Sequence, residues 1–376
     1  MHFETGSENL LKILKIVSAG VYKNYSRDEE IFSNILIKVL DKQIFCISIN
    51  TETEIITHNN LASDKTSLVN SINGEVIVSF KKFFEICKTS SKNSTINVTK
   101  KNKTLEISMD NSIFSLTCAI NSFPELYNPK ETTSKIKISY SKFKSLFNKI
   151  LFSVAENESR QFLNGIFIEK KNTNLYAISS DGYRLSYNYI ILDEKDTNFK
   201  LIIPKKTIID INNIFSDEEI IYISHTSNNI KFQSDKTILI SKLIDDEYPN
   251  CYELINKNMD KTIILDRIEI KKAIIKTIIL YSEKNKKTKI LIKKNNMKII
   301  TSNADEYVMT NLNINYNQED TEILLNTTYL MDVINIIESK NIKFMFSNKN
   351  DSIKIQEENS TNIYIIMPFK SWKQLI

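Results

Sequence analysis

Glycine and proline are scarce in this chain of 376 residues, at five each. The glycines stand at Gly6, Gly20, Gly74, Gly165 and Gly182. No two share the spacing of a Walker or Rossmann loop, which argues against a glycine-rich phosphate cradle. Histidine is equally thin. His2, His58 and His225 are isolated, with no cysteine or acid at metal-ligand spacing. No GxSxG elbow is present. The four cysteines, Cys46, Cys87, Cys118 and Cys251, lie far apart and form no CxxC pair. They read as buried, reduced thiols of a cytosolic protein. The N-terminal MHFETGSENLLKIL lacks the basic-then-apolar order of a signal sequence. No apolar run reaches the ~18 residues of a membrane span. The best, Ala273 to Tyr281, is interrupted by Lys276. The expectation is a soluble cytoplasmic protein without catalytic residues, metal, cofactor or membrane partner.

What is present is a globular composition, 41% apolar and 25% charged. The length suggests two or three domains. Asn, Ile and Lys are heavily used, which reads as compositional drift and carries little function.

One plan recurs at intervals of about 125 residues. The segments 75–87 (EVIVSFKKFFEIC), 200–212 (KLIIPKKTIIDIN) and 321–335 (TEILLNTTYLMDVIN) each give a short strand, a break and an amphipathic helix. A second element recurs at 2–17, 135–150 and 262–277. There Leu10 and Leu14 correspond to Phe143 and Phe147, then to Ile270 and Ile274. A closing strand followed by an aromatic-Pro pair ends the first two copies (114–127 and 238–254), and IYIIMPFKSW (363–372) ends the third. Short alternating strands with Lys/Asn/Asp turns fill the rest, as in TINVTKKNKTLEISM. The fold class predicted is α+β: three similar domains, each with two helices on β-sheets, over 1–130, 131–258 and 259–376.

The net charge of +5 is small, but it is unevenly spread. The six repeated helices and their entry turns hold 17 Lys/Arg against 7 Asp/Glu, a net of +10 that leaves −5 for the remainder. Solvated helix faces normally mix both signs. A one-signed face suggests a polyanion, contacted through its phosphates without sequence reading.

The stretch YAISSDGYRLSYNY (176–189) is β-favouring and split by Asp181-Gly182. It reads first as a tight hairpin turn centred on Asp181-Gly182, with Gly182 at positive φ and Asp181 a second candidate for it. The residues alone also allow a reactive Ser-Asp-Arg cluster or part of a docking surface.

Taken together, RQFLNGIFIE (160–169), SSDGYRLS (179–186), IIPKK (202–206), SKLIDDEYP (241–249) and IMPF (366–369) resemble, in order, the motifs of the bacterial DNA polymerase III beta subunit, the sliding clamp family. The resemblance covers nearly the whole chain. It implies a DNA clamp fold, and a head-to-tail homodimer closing into a six-domain ring around double-stranded DNA. The implied role is a DNA polymerase processivity factor that holds DNA topologically and without sequence preference. A β-rich protein-interaction scaffold that does not encircle DNA is the alternative.

Carried over by motif position, the implied DNA contacts are Lys206, Asn157, Gln161 and Phe162, with Arg27 for an early loop arginine. The implied dimer contacts are Phe114 on the domain 1 side, and Ile279 and Leu280 on the domain 3 side. The replicative polymerase catalytic subunit, the clamp loader and repair proteins would dock short peptides in an apolar pocket. Its positions are Leu163, Ser180, Gly182, Tyr183, Arg184, Leu185, Pro249, Leu254, Ile365 and Met367, with Arg160, Pro368 and Phe369 at the rim. Leu163, Leu185 and Ile365 fit a hydrophobic core as well as a pocket wall. The tail SWKQLI (371–376), with the only Trp, extends past the family's usual end and is placed near the pocket.

Overall fold

The computed structural model describes residues 1–22, 27–61, 71–119, 122–127, 135–193, 198–281, 286–303, 305–347, 352–358 and 360–369, without the side chains of Arg27 and Asp28. The helices among them are α1 (Ser7–Val17), α2 (Phe80–Lys88), α3 (Tyr140–Asn148), α4 (Lys205–Ile214), α5 (Tyr252–Ile255), α6 (Arg267–Ile278) and α7 (Thr327–Ile336). All but the one-turn α5 fall where the apolar spacing predicts a helix. Leu10, Leu14, Phe143, Phe147, Ile270 and Ile274 are buried at 3% exposure or less, as are Leu330, Val333 and Ile334. Side chains capping the helix starts are Asp266, which accepts from the amides of Ile268 and Glu269, and Asn326, which accepts from Thr328.

The chain forms two compact units, Met1–Phe143 with Lys206–Leu243, and Lys144–Lys205 with Ile244–Ile376. The first unit holds a four-stranded sheet ordered His2–Gly6, Thr95–Lys101, Thr104–Met109, Ser112–Thr117. Its eight-stranded sheet runs Gly74–Ser79, Asn34–Leu40, Gln43–Ile49, Thr53–Asn60, Thr237–Lys242, Asn229–Gln233, Ile220–His225, Ile136–Ser139. The middle of this sheet is a join between repeats. Thr53–Asn60 pairs antiparallel with Thr237–Lys242, Ile55 opposite Leu239, and the Thr57 and Thr237 hydroxyls meet at 3.0 Å.

The second unit repeats the scheme. Its eight-stranded sheet runs Phe199–Pro204, Gly165–Lys171, Asn174–Ser180, Arg184–Ile191, Ile363–Ile366, Ile353–Glu357, Asn341–Phe346, Lys261–Asp266. The join is Arg184–Ile191 with Ile363–Ile366, Leu185 opposite Ile365. Its four-stranded sheet is ordered Tyr307–Asn313, Asn296–Ser302, Thr288–Lys293, Thr321–Leu325.

The hairpins explain how so few glycines suffice. Left-handed backbone at Asp41, Asn93, Asn102, Asp110, Asn157, Asn172 and Asn295, and at Lys42, does the work usually given to glycine. Asn and Asp tolerate that region best among residues with a Cβ. Of the cysteines, Cys46, Cys87 and Cys118 are buried and Cys251 half-buried, all as free thiols. Burial pushes the Cys87 thiol up to about 12.

Candidate functional site

The turn after strand Asn174–Ser180 is built around Asp181. Its Oδ1 accepts from the amides of Tyr183 (2.9 Å) and Arg184 (3.0 Å). The ladder closes at Ser180 opposite Leu185, so the central pair is Gly182-Tyr183, one residue later than Asp181-Gly182. Gly182 alone takes positive φ there, at 89°. A Cβ on Gly182 would lie 2.9 Å from Arg160 Nη2, so the glycine also lets that guanidinium pass over the turn. Ser180 Oγ donates to the Arg184 carbonyl at 2.7 Å and accepts from the Gly182 amide at 3.1 Å. Ser179 is fully buried, its hydroxyl donating to Ile150 O and meeting that of Ser153. The Ser180 hydroxyl thus serves the backbone of the turn, and that of Ser179 the Ile150 carbonyl and Ser153.

Arg184 is the centre of the site. Its Nε donates to Asp181 Oδ2 at 2.9 Å, Nη1 to Asp332 on α7, and Nη2 to the Phe152 carbonyl at 3.0 Å. The guanidinium also lies over the rings of Tyr329 (4.7 Å) and Phe152 (5.2 Å). Tyr183 stacks on Tyr329, centroids 6.4 Å apart, and stays 61% exposed. Burial, then the nearby Asp181 carboxylate, pushes the Tyr329 hydroxyl above its usual range. The result is a cluster of three aromatic rings around one cation, open to solvent at Tyr183.

Beside the stack lies an apolar floor. Leu185 and Ile365 are buried in one cluster with Ile178, Tyr187 and Ile255, and Leu254 and Tyr248 pack against it half-exposed. The Met367 amide donates to the Tyr183 carbonyl at 2.9 Å, which fixes the closing segment to the turn. Met367 remains 45% exposed. Past Pro368, the Phe369 amide bonds to the Leu324 carbonyl at 2.8 Å, and Lys287 lies 5.5 Å over the Phe369 ring. Pro249 is exposed. Leu163 is buried, held by backbone bonds to Arg160 and from Ala155, and lies outside the Leu185–Ile365 cluster. The residues Ser371 to Ile376 lie outside those described.

The residues carried over as DNA contacts divide between the units. In the second, Asn157 is exposed with φ 54°, Gln161 is exposed, and Phe162 packs edge-on against Tyr248 at 5.6 Å. In the first, Lys206 donates to Asp210 at 2.6 Å and to the Ala19 carbonyl at 3.2 Å, and its side chain is 47% exposed. Arg27 opens the 3-10 turn Arg27–Ser33, and its side chain lies outside the described residues. Other helix lysines are exposed, namely Lys12 and Lys15 on α1, Lys81 and Lys82 on α2, and Lys276 on α6.

Of the carried-over dimer contacts, Ile279 is 76% exposed just past α6, Leu280 is half-exposed, and Phe114 is half-exposed on strand Ser112–Thr117. That strand is an edge of its sheet, as is Tyr307–Asn313 of the other unit. Both edges show apolar side chains to solvent, Ile113 at 73% and Tyr307 at 76%, with Met309 at 46% and Ile275 of α6 at 51%. Long, uncovered apolar edges are templates for pairing with another chain.

Sequence reasoning missed Phe152, Tyr329 and Asp332. Asp332 had a signal. It is the sixth residue of α7, and Asp210 is the sixth of α4. In each unit this aspartate accepts a cation that also reaches a carbonyl of a 3-10 turn lying just past a helix, α1 in the first and α3 in the second. Those turns are Ser18–Gly20 for Lys206 and Leu151–Ser153 for Arg184.

Three domain models of one family match the chain in succession. They are the N-terminal domain of the DNA polymerase III beta subunit at residues 1–127, the central domain at 137–250 and the C-terminal domain at 252–370. Among curated proteins, a "Beta sliding clamp" of Buchnera aphidicola subsp. Rhopalosiphum padi is 32% identical over 374 residues, 98% of this chain and 100% of that protein. One of Haemophilus influenzae is 28% identical over 374 residues, with the same coverage. Among solved structures, the DNA polymerase III subunit beta of Pseudomonas aeruginosa superposes with a TM-score of 0.92 at 24% identity, over 99% of this chain and 100% of that one. The Bacillus subtilis sliding clamp does so at 0.92 and 21%, with the same coverage.

Proposed function

The chain belongs to the DNA polymerase III beta subunit family, and on that premise we propose that two copies close head to tail into a ring around double-stranded DNA. It is a processivity sliding clamp of DNA replication. The observation that carries this is the succession of three beta-subunit domains on three copies of one plan. In our reading the chain is the non-catalytic part of its polymerase and works in the cytoplasm, with domain boundaries near residues 130 and 258.

The ring is supported by the two apolar edge strands. Ser112–Thr117 of one copy would meet Tyr307–Asn313 of the other, with Phe114, Ile279 and Leu280 buried between them. Such a heterologous contact closes only at the right rotation. Once closed, the ring holds DNA topologically, so weak phosphate contacts suffice and permit sliding.

Partner proteins dock at the Arg184 site. The floor of Leu185, Leu254 and Ile365 suits a leucine, and the ledge of Tyr183 and Met367 suits an aromatic ring. The polymerase catalytic subunit, the clamp loader and repair proteins would each present such a peptide.

Charge reversal tests the DNA face. Lys205 is tied to Glu156 at 2.6 Å and Lys206 to Asp210, so the exposed lysines are the better probes. K12E/K15E/K81E/K82E is expected to leave the solution mass at that of a dimer. The slope of log affinity for duplex DNA against log salt should shrink by about 0.9 for each phosphate no longer neutralised. An unchanged slope would remove these helices from the DNA face.

A further inference from the structure

Lys354 is a buried lysine with no role in the site as described. It is 9% exposed, on strand Ile353–Glu357. Its cross-strand partner is Ile365, part of the apolar floor. Directly paired residues share a face of the sheet. The neighbours Ile353 and Ile355 belong to a separate core cluster with Tyr364 and Ile366. Lys354 therefore rises from the docking face, its stem beside the floor.

Its ammonium donates to the carbonyls of Ile255 at 2.7 Å and Lys257 at 2.8 Å. The Ile255 carbonyl ends α5, the one-turn helix that carries Leu254 against the floor, and the Lys257 carbonyl lies two residues on. Within the turn, the carbonyls of Cys251, Tyr252 and Leu254 already accept from Ile255, Asn256 and Lys257. The carbonyls of Ile255 and Lys257 follow, on either side of Asn256, and a helix end leaves such groups without intrahelical partners. A buried ammonium is costly unless fully hydrogen-bonded. Here burial lowers its proton affinity below the usual lysine range, and two backbone acceptors offset the cost.

We propose that Lys354 is a positioning residue of the docking site, a latch that holds the segment Pro249 to Lys257 against the sheet and so fixes the distance between Leu254 and the Ile365–Leu185 floor. The first unit has a parallel. There the buried Glu54 accepts from the Tyr127 amide at 2.8 Å and so holds the segment following Phe123-Pro124. Each aromatic-Pro connector is thus tied to its sheet through a buried charged side chain of the sign its backbone partner requires, and in the second the Tyr252 hydroxyl also donates to Glu169. The proposal rests on the reading that this site takes a partner peptide.

The experiment uses the full-length chain and a fluorescein-labelled hexapeptide ending in Leu-Phe, followed by anisotropy. Lys354→Met keeps the stem and removes the donors. It is expected to weaken peptide binding by about tenfold, the scale of losing hydrogen bonds from a charged group. Lys354→Arg, which restores donors, should recover most of that loss. Amide exchange should rise at residues 252–257 in Lys354→Met and stay unchanged on strand Arg184–Ile191. Full affinity in a folded Lys354→Met, or faster exchange across the whole second unit, would overturn the latch. If Lys354→Met does not fold, Lys354→Arg decides alone, and tenfold weakening with native exchange at 252–257 would overturn it. If the wild-type chain does not bind the peptide, the docking reading fails and the latch falls with it.

Discussion

Replacing Ile279 with aspartate is expected to convert the protein to a monomer and to abolish its salt-resistant hold on circular DNA. Ile279 is 76% exposed in the single chain, so the substitution removes almost no packing there. Unfolding free energy should therefore move by no more than about 0.5 kcal/mol, as for other surface changes. At the proposed contact the effect is far larger. The burial of one large aliphatic side chain, worth about 1.5–3 kcal/mol, is forfeited. A carboxylate must also be desolvated at the contact between the two apolar edges, among Phe114 and Leu280. A head-to-tail ring of two copies contains this contact twice, so both costs are doubled. Light scattering at low micromolar concentration should report the monomer mass, with a normal melting curve. A dimer that persists would take Ile279 out of the interface.

The second large effect is expected at Arg184. Arg184→Ala should lose peptide binding altogether and about 3 kcal/mol of stability, the range for breaking a largely buried ion pair. The guanidinium is only 13% exposed and answers Asp181, Asp332 and the Phe152 carbonyl at once. Its removal leaves Asp181, at 17% exposure, without its cation and takes away the guanidinium over the Tyr329 ring. Arg184→Lys should recover some stability and little binding. A lysine presents one point charge and cannot serve three acceptors while keeping a planar cation near both rings. Denaturant titration beside peptide anisotropy separates the two effects. Binding at wild-type strength in Arg184→Lys would show that charge alone, and not the planar guanidinium, organises the site.

The repeated helices were legible in the sequence because their signal is local. Leu10, Ile13, Leu14 and Val17 follow the i, i+3, i+4, i+7 spacing of one helix face, Phe143 and Phe147, then Ile270 and Ile274, recur at the places of Leu10 and Leu14, and all are buried. The closing strands were legible for the same reason. The two eight-stranded sheets were not. Their joins pair strands such as Thr53–Asn60 and Thr237–Lys242, with bonded hydroxyls 180 positions apart in the chain. No periodicity records a partner at that distance. The turn at Asp181 shows a finer limit. Asp-Gly announces a hairpin, but the aspartate here spends its carboxylate on two amides and a guanidinium, which moves the centre of the turn to Gly182-Tyr183. Family motifs marked Arg184 as part of the site. What gives it that position, Asp332 148 residues away and the rings of Tyr329 and Phe152, came only with the fold.

The claim that this chain encloses DNA is tested most directly on a nicked circular duplex. The protein is loaded with a clamp loader, free protein is removed in high salt, and half of the sample is then cut at a single site. The expected result is retention on the intact circles and rapid loss from the cut ones at the same salt. Equal retention on both forms, or release from both, would contradict a topological hold.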